Sequence, residues 1–365
     1  MRKNNYSEGE LALIVLDSVL GFEYKHKIKL TSLVGDCGEL LDCPKIVRDY
    51  LFESLGEAKA RTIVSALTED DYHDFVLKGL EKAGTVCLTL NDPDYPSLLK
   101  ETDIPPVVLY CNGNIDLLKE RYPFSIVGSR KCLPYATALA KDFSETLSKS
   151  GATIVTGSAG GADKAAIDGA IDSGKLICVL AGGINHVFPE YNKSIINKVA
   201  KTALVISEQP PDYQPKPWMF PVRNRIIAGL SLGTLIVGGD KKSGARHTAL
   251  YAAEYGRQVY AFPYSIGIAS GELNNELIKE GCLLCDSVDD IFELLKIEKT
   301  ETSEDEALSD DEKAVYLAIK EGCADVKKII EKTGKKMNEL APILSLLEIE
   351  GYIVKLAGNK FKTVK

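Results

Sequence analysis

The sequence predicts an α/β fold: a doubly wound, mostly parallel sheet, with a small helical domain ahead of it and a winged-helix domain behind. Three observations carry that prediction. Apolar β-type runs recur at Phe124–Val127, Thr153–Val155, Leu176–Leu180, Leu204–Ile206, Thr234–Val237 and Val259–Phe262, with amphipathic helical stretches between most of them. Strands that are apolar on both faces and alternate with helices belong to a parallel sheet covered on each side. The chain ahead of these runs shows only helical spacing, and the chain after an acidic stretch reads helix, helix, hairpin. The length of 365 residues accommodates about two to three domains.

Residues 1–88 read as the helical domain. Ser7-Glu-Gly-Glu10 is a capping-box pattern, followed by Leu11, Ile14 and Val15 at helical spacing. Apolar clusters at Ile46–Leu55 and Ile63–Leu80 continue it. The turns Asn91-Asp-Pro-Asp-Tyr-Pro96 and Pro105-Pro106 then lead through Val107–Tyr110 into the α/β domain, residues 89–296. Its helices are typified by Ala136, Leu139, Ala140, Phe143 and Leu147. Residues 297–312 read as a flexible acidic linker, the expected first site of proteolysis, because almost no apolar side chain offsets its ordering entropy. In residues 313–365, Val326, Ile329 and Ile330 mark one helix, and Leu340, Ile343, Leu344 and Leu347 another. A strand, a Gly-Asn turn and a second strand follow from Gly351. A winged helix of this kind binds duplex DNA or protein; its expected recognition helix carries Glu339 and Glu348 beside Lys335 and Lys336.

Composition narrows the functional classes. No apolar run reaches the roughly 18 residues of a membrane span, and Met1-Arg2-Lys3 leads into polar residues rather than a signal-peptide core. Nine scattered cysteines fit a reducing, cytoplasmic setting. Cys282-Leu-Leu-Cys285 lacks a second ligand pair and reads as a buried strand. The four histidines have no metal spacing, so neither a metal nor a cofactor is expected. The net charge of -8 is concentrated in Glu298–Glu312, with eight acids and one lysine, which leaves a basic face possible elsewhere.

In an open α/β sheet, ligands bind beyond the carboxyl ends of the strands, and four such ends have unusual content. Gly128, Ser129 and Arg130 offer close backbone approach, a hydroxyl and a guanidinium at a helix entrance, a combination suited to phosphate. Gly157, Gly160 and Gly161 line a second strand-to-helix turn, where Asp163 is the expected helix cap. In Phe220-Pro-Val-Arg-Asn-Arg225, Pro221 is expected to open a helix, with Arg223, Asn224 and Arg225 in its first turns. Cations there oppose the helix dipole, so an anionic ligand explains them, and their removal is expected to leave stability unchanged or raised. The alternative is that they are buried in ion pairs with Asp163 or Glu208, in which case their removal destabilises the fold. Phe220 and Trp218 add faces for base stacking. Lys241, Lys242, Ser243, Gly244 and Arg246 make the fourth end. No Gly-x-Ser-x-Gly elbow or paired-carboxylate signature is present, and Glu208, the best lone acid, reads as a structural partner. No catalytic residue is expected.

These residues resemble the DNA-processing protein A family, DprA/Smf. The resemblance rests on Val127-Gly-Ser-Arg130, the Gly157–Asp163 turn, Ile206-Ser-Glu208, Phe220-Pro-Val-Arg-Asn-Arg-Ile-Ile-Ala-Gly-Leu-Ser231, Ser243-Gly244 and Gly256-Arg-Gln-Val-Tyr-Ala-Phe-Pro263, in family order. Gly271, Asn274, Leu277-Ile278 and Gly281 continue it, with Tyr95-Pro96 and Pro105-Pro106 upstream. It implies a Rossmann-like fold and a non-enzymatic mediator of recombination. Such a protein binds single-stranded DNA, dimerises, protects incoming strands and loads RecA during natural transformation of competent cells. Arg130, Arg223 and Arg225 would then contact phosphates and Phe220 a base. Four family positions differ. Gly160 stands where an arginine is usual and Ile167 where a histidine is usual, so a cation and a histidine leave the pocket. Tyr264 follows Pro263 where a glycine is usual, and an acidic residue usual near Gly238 is missing. The alternative is a nucleotide-binding sensor or nucleotide-hydrolysing enzyme on a related fold. That reading is disfavoured because Gly238–Gly244 lacks the Pro-Gly-Gly-x-Gly-Thr loop such enzymes carry.

Overall fold

The computed structural model describes residues 6–19, 24–297, 308–349, 351–356, 358 and 360–363. The chain divides into two compact units, Met1–Lys299 and Thr300–Lys365.

The first unit opens with α1 (Glu8–Ser18), α2 (Tyr24–Thr31), α3 (Lys45–Leu55), α4 (Glu57–Thr68) and α5 (Asp70–Lys82). The α1 capping box forms as its sequence demands: the Ser7 hydroxyl accepts from the Glu10 amide, and the Glu10 carboxylate accepts from the Ser7 amide at 2.7 Å. An antiparallel pair follows, β1 (Val86–Thr89) and β2 (Val108–Gly113), with the single turn α6 (Ser97–Lys100) between them. The expected boundary at residue 88 therefore falls inside β1. Leu13 and Ile14 of α1 share a buried cluster with Cys87, Val108 and Tyr110 of the sheet edge. Beside it, buried Asp17 accepts from the Tyr110 hydroxyl at 2.9 Å and pairs with Lys27. Burial pushes the Asp17 carboxyl up, and Lys27 and Tyr110 pull against that shift.

Strand and helix then alternate: β3 (Pro123–Val127), α7 (Pro134–Lys149), β4 (Thr153–Thr156), α8 (Ala162–Ala170), β5 (Leu176–Leu180), α9 (Lys193–Thr202) and β6 (Leu204–Ser207). After α10 (Met219–Gly229) come β7 (Gly233–Ile236), α11 (Ala245–Glu254), β8 (Gln258–Ala261), α12 (Glu272–Lys279), β9 (Leu283–Leu284) and α13 (Asp289–Leu295). The sheet order is β1-β2-β6-β5-β4-β3-β7-β8-β9, parallel from β6 to β9, with β1 and β2 antiparallel at one edge. Winding runs outward from β3 to β6 and restarts at β7 on the other side of β3, so crossovers leave the sheet toward opposite faces there. This is the doubly wound, Rossmann-like sheet. Strands β3, β4 and β5 are buried throughout, and α7 lies close enough on α8 that a Cβ at Gly169 would collide with the Lys141 carbonyl.

Two details differ from expectation. The middle of the Cys282–Cys285 segment is an exposed edge: Leu283 and Leu284 of β9 are each 47% exposed, while Cys285 is buried and Cys282 packs partly buried against the core. With two residues, β9 pairs on one side with β8 and has no outer neighbour among the described residues. The N-terminus of α10 is Met219, not Pro221, because proline is tolerated anywhere in a first turn where its missing N–H has no helical acceptor.

The second unit is a winged helix: α14 (Asp310–Lys320), α15 (Val326–Thr333), α16 (Met337–Ile349) and the hairpin β10 (Ile353–Leu356) with β11 (Lys360–Thr363). Val315, Tyr316, Ile329, Leu340, Leu347, Ile353 and Phe361 fill its core. Most of the expected linker, residues 298–307, lies outside the described residues. Its last acids have a structural role instead. Ser309 caps α14 in a second capping box, and Asp310, Asp311 and Glu312 occupy the first turn, where the helix dipole favours negative charge.

Candidate nucleic-acid interface

The carboxyl ends of β3 and β7, at the point where the winding reverses, bring the three glycine-bearing loops among the four together. Gly128 makes the approach possible: a Cβ there would sit 2.8 Å from the Ala162 Cβ and 3.1 Å from the Gly238 carbonyl. The Ser129 amide donates to the Gly238 carbonyl at 2.7 Å, and the Ser129 carbonyl accepts from the Ala162 amide at 3.3 Å. The turn after β3 is thereby tied to the end of β7 and the start of α8. Gly161, the N-cap of α8, has φ 69° and faces the same Ser129 carbonyl. Gly161→Ala should therefore cost at least about 1–2 kcal/mol from the left-handed backbone alone, before the collision is counted. A thermal melt of that variant checks it, and a melt unchanged from wild type would contradict the geometry.

Above Gly157, the Asp163 carboxylate and the Arg223 guanidinium converge on the space a Cβ would fill. Asp163 does not cap α8 as expected. It lies within the first turn and accepts from the Ala159 amide at 3.1 Å, while the cap position has no side-chain bond. Arg223 is 7% exposed and donates to the Val179 carbonyl at the end of β5. Burial pushes the Asp163 carboxyl up against the opposing pull of Arg223, and burial likewise lowers the pKa of Arg223. Arg225 is 5% exposed and forms an ion pair with Glu208, just past β6. Both arginines follow the first helical turn of α10, so neither stands at the helix start, and each has a protein partner. The expectation that their removal spares the fold is corrected by this burial.

Arg130, by contrast, is exposed. Its guanidinium carbon lies 5.7 Å from the ring centroids of both Phe188 and Phe220. Those rings are 5.5 Å apart, centre to centre, at 66°. Phe188 is 45% exposed and Tyr191, in the same loop, 75%. Sequence reasoning missed both residues. The signal available was an aromatic pair on the loop following β5, another strand end of the same sheet. The loop is fixed to the second glycine turn: the Ser158 hydroxyl donates to the Phe188 carbonyl at 3.0 Å, and the Asn192 amide donates to the Ser158 carbonyl at 2.8 Å. Gly160 lies beneath the Tyr191 hydroxyl, and Ile167 is fully buried in the core of the sheet.

The fourth loop is less cationic than its sequence suggests. Arg246 pairs with Glu276 and, at 3.4 Å, with Glu280, both of α12 or its end, and Lys241 reaches Glu276 at 3.4 Å. Lys242 is exposed, with its amide donating to Asp240 at 2.9 Å. Ser243 packs against Gly239, and Asn224 donates to the Gly244 carbonyl at 3.2 Å, which joins this loop to α10.

Comparison with known proteins follows the same geometry. The family model described as DNA recombination-mediator protein A matches residues 86–296, and a DprA winged helix domain model matches residues 299–359. The DNA processing protein DprA of Bacillus subtilis is 36% identical over 223 residues, 60% of this chain and 74% of that protein. That of Streptococcus pneumoniae is 33% identical over 276 residues, 74% of this chain and 89% of its own. The X-ray structure of the pneumococcal protein superposes with a TM-score of 0.67 at 30% identity, covering 80% of this chain and 99% of that one. A Helicobacter pylori DNA processing protein A, studied for its single-stranded DNA binding mode, superposes at 0.54 with 29% identity, covering 59% and 98%. With the Rossmann-like sheet, the winged helix and the Gly128–Arg130 and Phe220–Arg225 motifs in place, the chain belongs to the DNA-processing protein A (DprA/Smf) family of DNA recombination mediators.

Proposed function

We propose that this protein binds single-stranded DNA across the β3–β7 switch point and acts as a mediator rather than as an enzyme. The observation that carries the reading is Arg130 set against both Phe188 and Phe220, an exposed cation with aromatic faces at a strand end. Single strands are bound through this combination of phosphate attraction and sequence-tolerant stacking. On this reading Arg130 and Lys242 meet phosphates. Arg223 and Arg225 shape the rim from beneath, and Asn224 fixes the Gly244 loop. The protein protects incoming single strands and loads RecA in the cytoplasm during natural transformation. It works as a homodimer, for which the exposed Leu283 and Leu284 of β9 offer an apolar edge. Among the described residues, no helix is long and apolar enough to cross a membrane.

Trp218, the chain's single tryptophan, is 57% exposed two residues before Phe220, so it reports on binding. Titration with oligo-dT is expected to quench its fluorescence, with tighter binding than to duplex and a marked loss of affinity between low and high salt. Stronger binding to a mononucleotide with no salt slope would replace this reading with that of a nucleotide sensor or hydrolase.

A further inference from the structure

We propose that Tyr191, with the outer face of Phe188, forms a second stacking station beside Phe220 that takes the next base of a bound DNA strand. The proposal rests on the single-strand reading above.

The two phenylalanine rings cannot share one base. A base inserted between parallel rings needs about 7–8 Å between them, whereas Phe188 and Phe220 stand 5.5 Å apart at 66°. Each ring therefore offers only its outward face. Arg130 sits 5.7 Å from both, so positive charge lies where the phosphate linking two stacked bases would pass. Beyond Phe188, Tyr191 is 75% exposed. Its position does not come from a loose loop. The Asn192 amide is buried on Ser158, the Ser158 hydroxyl holds the Phe188 carbonyl, and the Asn192 amide N–H closes a turn on the Pro189 carbonyl at 3.0 Å.

Gly160 supplies the second observation. A Cβ at Gly160 would stand 2.9 Å from the Tyr191 hydroxyl oxygen. The phenol end thus lies over the turn that opens α8, and any side chain at 160 would push against it. Two rings held in water on a fixed loop, with a guanidinium beside them, match an anionic strand of planar groups. An apolar peptide would leave Arg130 unanswered, and an acidic peptide would leave the ring faces unanswered.

The test uses the full chain and its Tyr191→Ala, Tyr191→Phe and Arg130→Ala variants. Each is titrated by anisotropy with labelled oligo-dT and with an abasic strand of equal length, at several salt concentrations. Tyr191→Ala is expected to weaken oligo-dT binding roughly tenfold while leaving the slope of log K against log salt unchanged. Tyr191→Phe should restore affinity, and the abasic strand should bind wild type and Tyr191→Ala alike. Arg130→Ala, by contrast, should flatten the salt slope. If Tyr191→Ala binds oligo-dT like wild type while Arg130→Ala is weakened, the second station is overturned and the single-strand reading stands. If wild type itself does not bind oligo-dT, both fall. A matching thermal melt for Tyr191→Ala, expected from its exposure, assigns the loss to stacking.

Discussion

Arg225→Ala should lower the stability of the Met1–Lys299 unit by about 3–5 kcal/mol, the usual cost of stripping one partner from a buried ion pair. Its side chain is 6% exposed and that of its partner Glu208 15%, so the remaining carboxylate would stay largely out of water. The neighbourhood offers no relief: burial pushes up the carboxyl of Asp17 and the hydroxyl of Tyr95, and the Glu208 charge adds to both shifts. A loss of that size corresponds to earlier melting on the order of 10 °C for a domain of this class. Removing both charges, as Arg225→Ala with Glu208→Ala, should recover part of the loss, because no uncompensated ion remains. Calorimetry on the single and double variants checks this. A single variant that melts with wild type would show that the ion pair is not what holds α10 against β6.

Arg130→Ala should act in the opposite way, on DNA and not on the fold. The side chain is exposed and leans on two rings without an ion pair among the described residues. Its melt should match wild type. A hydrogen bond to a charged group contributes about 1.5–3 kcal/mol, so loss of the phosphate contact should weaken single-strand binding roughly 10- to 150-fold. Loss of one phosphate contact should also reduce the salt slope by about 0.7. Retained affinity with an unchanged slope would remove Arg130 from the interface.

The central strands were legible because burial on both faces writes each of them as an unbroken apolar run. Leu176–Leu180 needs no other cue. The short edges were not. Strand β1 has four residues and passes for the end of a helical region, and β9 has two, too few for any pattern to reveal which face meets water. Glycine loops at strand ends were legible as a place where something binds, since Gly128 and Gly161 are fixed by local backbone approach. The arginines were misread because their partners are remote in sequence. Val179, which accepts from Arg223, is 44 residues away, and Glu208 is 17 residues from Arg225. The helix dipole was weighed above the alternative of ion pairs with Asp163 or Glu208, because sequence alone does not show which side chains the fold brings to α10. Phe188 and Tyr191 stayed hidden for the same reason, since their place beside Arg130 depends on the bonds between Ser158 and the loop 188–192.

The antiparallel edge also bears on how the chain is made. Strand β2 has two neighbours, β1 and β6, and Cys111 pairs with Ile206. While the chain leaves the ribosome N-terminus first, the hairpin of β1 and β2 emerges early and cannot meet β6 until about 90 further residues have been added, which takes roughly 5–20 s at ordinary synthesis rates. Through that interval Leu109 and Cys111, which end in the core of the sheet, have no α/β partner to cover them. The packing of Val108 and Tyr110 against Leu13 and Ile14, with Asp17 on the Tyr110 hydroxyl, is complete from the chain already synthesised. The N-terminal helices thus act as an early holder for a strand whose lateral partner comes late, and they keep one side of it out of reach of other nascent chains.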